Sequence, residues 1–120
     1  MKIAITAQQN DSDSDVDSRF GRAAYFCIVD TETKDMEFID NDQNLNAAQG
    51  AGIQSAQIVA KAGVECILTG HCGPKAFTAL KASGVKIIVG VEGKISEVIE
   101  KFKNGEYSEI DSPDVDGHWV

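Results

Sequence analysis

Short apolar runs of strand length divide the first forty residues of the chain. Segment 2–7 alternates apolar and polar positions and predicts an opening strand, and the apolar runs 25–30 and 35–40 predict two more. The four residues 31–34 are a connection of hairpin length. The first three strands are therefore expected to form an antiparallel meander.

The middle of the chain has a different pattern. Two β-branched apolar runs, 64–68 and 84–90, flank a segment of helix length, which is the pattern of a parallel βαβ unit with a right-handed crossover. Pro74 suits the first turn of that helix, because its missing N–H is not needed there. A glycine-bracketed pair, His71 and Cys72, joins the first run to the helix.

Two further helices follow from 3.6-residue periodicity. The first begins at Gly50 and ends at Gly63, and its predicted buried face is Ile53, Ala56, Val59 and Ala60. The second ends at Gly105, and its predicted buried face is Ile95, Val98, Ile99 and Phe102. The tail, 106–120, has no periodicity and is expected to be loosely ordered, with His118 and Trp119 as weak candidates for contact with a ligand.

Composition narrows the possible partners and compartment. The 120-residue chain is long enough for one domain, and its net charge of −8 argues against nucleic acid or an anionic membrane as a partner. No apolar run approaches the length of a transmembrane helix. Three cysteines without CxxC spacing predict neither a disulfide framework nor a structural zinc site, and Cys27 and Cys66 fall in apolar strands as core residues. A cytoplasmic location is the expectation.

The connection between the first two strands carries a run of acidic side chains followed by two basic ones. Four aspartates at positions 11, 13, 15 and 17 suggest a calcium loop, but Val16 and Arg22 stand where such a loop needs Gly and Glu. A solvated acidic loop is the better interpretation. Arg19 and Arg22 follow around a Phe-Gly turn at Gly21, and they either pair with these aspartates or offset the charge of an anionic ligand.

The segment 70–74 is the candidate site. Gly70 and Gly73 allow close approach of a ligand to the backbone, and the N–H groups at the start of the helix favour an anion. His71 and Cys72 either ligate metal or simply fill a tight turn. Two ligands cannot close a zinc site but can contact a preassembled anionic cluster. A cysteine phosphatase is disfavoured because Thr78 stands where its loop needs arginine, which leaves a Cys72 thiol enzyme as a weak alternative.

Together these segments resemble a known family. The residues that carry the resemblance are Ser18-Arg19-Phe20-Gly21-Arg22-Ala23, Gly50-x-Gly52-x-Gln54-x-Ala56, Leu68-Thr69-Gly70-x-x-Gly73-Pro74-x-Ala76-Phe77, Leu80, Gly84-Val85 and Gly90. They are similar to the dinitrogenase iron-molybdenum cofactor biosynthesis family over about residues 1–105. The resemblance implies a single α/β domain with a ribonuclease H-like, five-stranded mixed sheet, three strands antiparallel and two parallel, flanked by helices.

The resemblance also implies a function. Members bind, store or shuttle metal-sulfur clusters that contain molybdenum or iron, or in some cases copper, and are generally not enzymes. The expected partners are cofactor-assembly proteins or a P-loop ATPase, and the chain is expected to be a monomer or weak dimer. A metal-free regulatory domain is the main alternative. The expected site comprises His71 and Cys72 as metal ligands, with cofactor contacts from Arg19, Gly21, Arg22, Gly70, Gly73 and Pro74.

Overall fold

A computed structural model describes residues 1–45 and 50–114, except for the side chain of Leu45. Five strands are present in this part: β1 (Lys2–Ala7), β2 (Tyr25–Asp30), β3 (Met36–Asp40), β4 (Cys66–Leu68) and β5 (Lys86–Ile88). Four helices accompany them: α1 (Asp42–Leu45), α2 (Ala51–Lys61), α3 (Pro74–Ala82) and α4 (Ile95–Lys103). Residues 46–49 of the Asn-rich loop and the tail positions His118 and Trp119 lie outside the described residues.

The strands form one mixed sheet in the order β3-β2-β1-β4-β5. β1 pairs antiparallel with β2, and β2 pairs antiparallel with β3. β4 lies parallel to both β1 and β5. The predicted meander and the predicted parallel unit are both confirmed, and so is the five-stranded mixed sheet that the family resemblance implied.

Apolar side chains on the two faces of the sheet form two cores. Alternation along β1 sends Ala4 to one face and Ile3 and Ile5 to the other. The first core packs against α2 and α3, and the second packs against α4. Cys27 and Cys66 are buried in the second core, as predicted.

The predicted helix faces are correct for α4 and partly wrong for α2. In α4, Ile95, Val98 and Ile99 are buried and Phe102 packs against them. In α2, Ile53 is 41% exposed, so its predicted burial is wrong. The buried face of α2 is rotated toward its small residues, Ala51, Gly52, Ser55, Ala56 and Val59. The physical reason is polar: the Ser55 hydroxyl donates to the backbone oxygen of Gly21, 2.8 Å away, and this turns Ile53 outward.

The tail returns along the edge of the sheet after α4 ends. Tyr107 packs against the second core and Ile110 against the first. The backbone N–H of Ile110 donates to the oxygen of Ile87 in β5 at 2.9 Å. The described tail therefore packs along β5, more closely than the lack of periodicity suggested, and it leads toward the end of the sheet where the candidate site lies.

Candidate functional site

Two loops meet at the carboxyl ends of the parallel strands β1 and β4. We call residues 17–22 the arginine loop and residues 69–74 the His-Cys loop. The Thr6 hydroxyl, at the end of β1, donates to the backbone oxygen of Asp17 at 2.7 Å and lies 3.0 Å from the hydroxyl of Thr69. The carboxyl ends of strands in open α/β sheets are where ligands bind, so this position favours a binding site.

The backbones of the two loops are in direct contact. Residues 19 and 71 form an isolated parallel bridge, and the backbone N–H of Phe20 donates to the oxygen of His71 at 3.2 Å. A Cβ atom at Gly70 would lie 2.6 Å from the backbone oxygen of Ser18. Gly70 is therefore required for the approach of the loops, which is a structural role beside the ligand contact predicted for it.

The arginine loop is held by Asp17 and Phe20. The Asp17 carboxylate accepts from the backbone N–H groups of Arg19 and Ala24, each at 3.2 Å. The Phe20 ring is buried, with its centroid 5.6 Å from that of Phe26. Asp17 therefore differs from the exposed aspartates at 11, 13 and 15, because it fixes the loop that presents the arginines.

A buried polar network supports the turn at Gly21. Its backbone oxygen accepts from the Ser55 hydroxyl and, at 3.3 Å, from the amide nitrogen of Asn41. Asn41 also donates to the oxygen of Ala23 at 2.8 Å. Gly21 itself is buried, so its contribution to the site is the shape of the turn, while Arg19 is exposed and Arg22 half-buried.

The His-Cys loop places its two named side chains in different environments. His71 is half-buried at the surface, whereas the Cys72 side chain is fully buried in the first core. Burial raises the pKa of the Cys72 thiol to about 12, with a smaller contribution from the nearby Asp114 carboxylate. A nucleophilic cysteine needs an exposed thiol with a lowered pKa, so this environment argues against the thiol-enzyme alternative.

A carboxylate from the tail is bound at the His-Cys loop. One oxygen of Asp114 accepts from the backbone N–H of Cys72 at 2.7 Å, and the other lies 2.9 Å from Nδ1 of His71. An ionised carboxylate only accepts, so Nδ1 is the donor. The loop thus binds an anionic group through one amide and one imidazole, beside the start of α3 at Pro74.

Asp114 contacts the His-Cys loop directly and was not predicted from the sequence. It is separated by 42 residues from Cys72, and it lies in a tail without periodicity among several other acidic residues. Only the path of the tail along β5 brings it to the loop. No local pattern distinguishes Asp114 from Asp111.

The described part of the chain adds no third metal ligand to the predicted pair, His71 and Cys72. Within residues 1–45 and 50–114, no group of three or more His, Cys, Asp and Glu side chains is arranged to hold a metal ion. Direct ligation by His71 and Cys72 stays a prediction. Over the same residues, no helix is both long and apolar enough to cross a membrane.

Comparison with known proteins points to the same family as the sequence motifs. The profile of the family described as "Dinitrogenase iron-molybdenum cofactor" matches residues 1–105. An uncharacterized protein of Methanocaldococcus jannaschii is 32% identical over 114 residues, which are 92% of each chain.

Two solved structures are similar throughout. The apo form of the orange protein from Desulfovibrio gigas is 41% identical with a TM-score of 0.92, over 95% of this chain and 96% of that one. A Thermotoga protein named for NifB is 34% identical with a TM-score of 0.80, over 95% of this chain and 98% of that one. From the profile match and these similarities, we conclude that the chain belongs to the dinitrogenase iron-molybdenum cofactor family.

Proposed function

We propose that this protein binds an anionic metal-sulfur cluster at the two-loop site and carries it during metallocofactor assembly. The observation that carries the proposal is the juxtaposition of the arginine loop with the His-Cys loop at the carboxyl ends of β1 and β4. The family supports this choice of ligand, because its description names the iron-molybdenum cofactor. Molybdenum and iron are the proposed metals, with copper as a further candidate.

Electrostatics define what such a site must do. The chain carries a net charge of −8, so its overall field opposes an anionic cluster and the favourable interactions must be local. Arg19 and Arg22 supply positive charge at the rim, and the Cys72 amide and His71 ring supply donors that already bind a carboxylate. The Cys72 sulfur is buried, so its ligation of the cluster, which stays a prediction, would require the His-Cys loop to expose it.

The partners follow from the carrier role. Cluster delivery and removal require donor and acceptor proteins of the cofactor-assembly machinery, and the proposal includes these as partners. No catalytic step is assigned to the chain. A P-loop ATPase partner and a metal-free regulatory role form the competing hypothesis, which predicts that purified protein takes up no cluster.

The experiment is an anaerobic titration with tetrathiomolybdate, with and without iron or copper salts, followed by visible absorption. Arg22→Ala is the test variant, and Lys61→Ala is its matched control, because it removes the same charge from an exposed position at the far end of α2. We expect Arg22→Ala to weaken binding about tenfold, the loss of one charge-assisted hydrogen bond, and Lys61→Ala to bind as the wild type. Equal binding by both variants would contradict the assignment of the site.

A further inference from the structure

We infer that the Asp114 carboxylate is an internal competitor that occupies the anion position of the two-loop site and must leave before the cluster binds. The inference rests on the function proposed above and adds its regulation. It starts from a single geometric fact. Both oxygens of one carboxylate are used on the His-Cys loop, one on the Cys72 amide at 2.7 Å and one on His71 Nδ1 at 2.9 Å.

The contact has the chemistry of ligand recognition. An amide N–H and an imidazole N–H converge on one anionic group, and hydrogen bonds to a charged acceptor are stronger than those between neutral groups. These are the donors that the His-Cys loop offers to a cluster in the proposed function. The same two donors cannot serve a carboxylate and a cluster sulfide at once, so binding of one excludes the other.

The described part of the tail, up to residue 114, allows the Asp114 carboxylate to leave without disturbing the packing of Ile110. The last position of the described tail that packs on a core is Ile110, which contacts the first core and donates its N–H to the backbone oxygen of Ile87. Residues 111–113 are exposed. The Asp114 side chain is 25% exposed and that of His71 is 37% exposed. Within the described tail, release of the carboxylate therefore moves residues 111–114 and leaves the packing of Ile110 intact.

While the Asp114 carboxylate occupies the His-Cys loop, the apparent affinity of the protein for the cluster is lowered. When the tail carboxylate is bound nine-tenths of the time, the open fraction is about one-tenth and the apparent Kd is about tenfold higher than that of the open site. The bound cluster then faces one negative charge fewer at the site, because the carboxylate has been displaced into solvent. Asp114 thus sets how readily the carrier loads and unloads.

The test compares Asp114→Asn with Asp111→Asn by anaerobic tetrathiomolybdate titration. Both variants remove one negative charge from the same tail, and residue 111 is exposed three positions earlier, so general charge effects cancel between them. We expect Asp114→Asn to lower the Kd about tenfold and Asp111→Asn to change it less than twofold. Amide hydrogen exchange without ligand gives a second readout, in which Cys72 exchanges faster in Asp114→Asn only.

The outcomes separate this inference from the proposed function. If the wild type and both variants bind tetrathiomolybdate with the same Kd, the internal-competitor inference is overturned while the carrier function stands. If Asp114→Asn binds more weakly, Asp114 supports the site and the inference is likewise overturned. If none of the three proteins binds, the proposed function fails and the inference fails with it. Unchanged exchange of the Cys72 amide in Asp114→Asn would show that the carboxylate charge does not strengthen this contact, which would also overturn the inference.

Discussion

Replacing Gly70 with alanine tests the contact between the two loops. A Cβ at this position would lie 2.6 Å from the Ser18 backbone oxygen and 2.7 Å from the Ser18 Cα. Both atoms belong to the backbone, so no side chain can rotate away to relieve the overlap. The arginine loop or the His-Cys loop must move.

The magnitude follows from two opposing effects. Gly to Ala at a backbone conformation that alanine tolerates stabilises a protein by roughly 0.4–1 kcal/mol, through the unfolded state. Overpacking costs about 1–3 kcal/mol, and contacts this short with backbone place Gly70→Ala at the upper end. We expect a net loss of about 2 kcal/mol in the free energy of unfolding. For 120 residues this corresponds to a fall in Tm of roughly 8 °C.

The assay combines thermal unfolding with amide chemical shifts and tetrathiomolybdate binding. Gly84→Ala is the control, because Gly84 has a φ of +77° and no atom within 4 Å of the added Cβ. The control loses stability through backbone strain but should leave the shifts of residues 17–22 and the Kd unchanged. Gly70→Ala should alter the stability, the chemical shifts of residues 17–22 and the Kd. A neutral or stabilised Gly70→Ala protein would refute the described packing of the loops.

Two further predictions concern the support of the site. Ser55→Ala removes the hydroxyl that donates to the backbone oxygen of Gly21, and it should lower the free energy of unfolding by about 1–2 kcal/mol in urea titrations. The control, Ser83→Ala, lies at an exposed position and should change the free energy of unfolding by less than about 0.5 kcal/mol. The buried Cys72 thiol, with its pKa raised from 9.0 to about 12, should resist thiol reagents in the native protein at pH 8. Because the folded state favours the protonated thiol, the contribution of Cys72 to the free energy of unfolding is complete below pH 9 and is lost as the pH rises toward 12. Stability should therefore fall over that interval, and it should fall less steeply in Cys72→Ala.

The sequence contained enough information for the sheet and for the two loops, but not for the tail carboxylate that binds the His-Cys loop. Strand alternation and the glycine-flanked βαβ pattern depend on local periodicity, and the structure follows them closely. Ile53 was misplaced because a buried hydrogen bond from Ser55 to a turn 34 residues away determines the rotation of α2. The role of Asp114 could not be predicted either, because it depends on the path of the tail rather than on the neighbours of Asp114 in the sequence.

The environment of Cys72 was the other feature beyond local reasoning. Its position beside His71 and before a helix is typical of a reactive thiol, yet the side chain points into the first core. The direction of one side chain in a tight turn depends on which apolar neighbours it packs against in the folded protein. The anion preference predicted for this loop depended on backbone N–H groups, and in the structure the Cys72 amide, together with His71 Nδ1, contacts the Asp114 carboxylate.

The most direct test of the account is the metal content and visible spectrum of the full chain, isolated anaerobically and then exposed to tetrathiomolybdate with iron or copper. We predict a coloured protein that retains molybdenum through gel filtration, in an amount that falls in Arg22→Ala and not in Lys61→Ala. Protein that stays colourless and free of molybdenum, iron and copper under these conditions would contradict the carrier function.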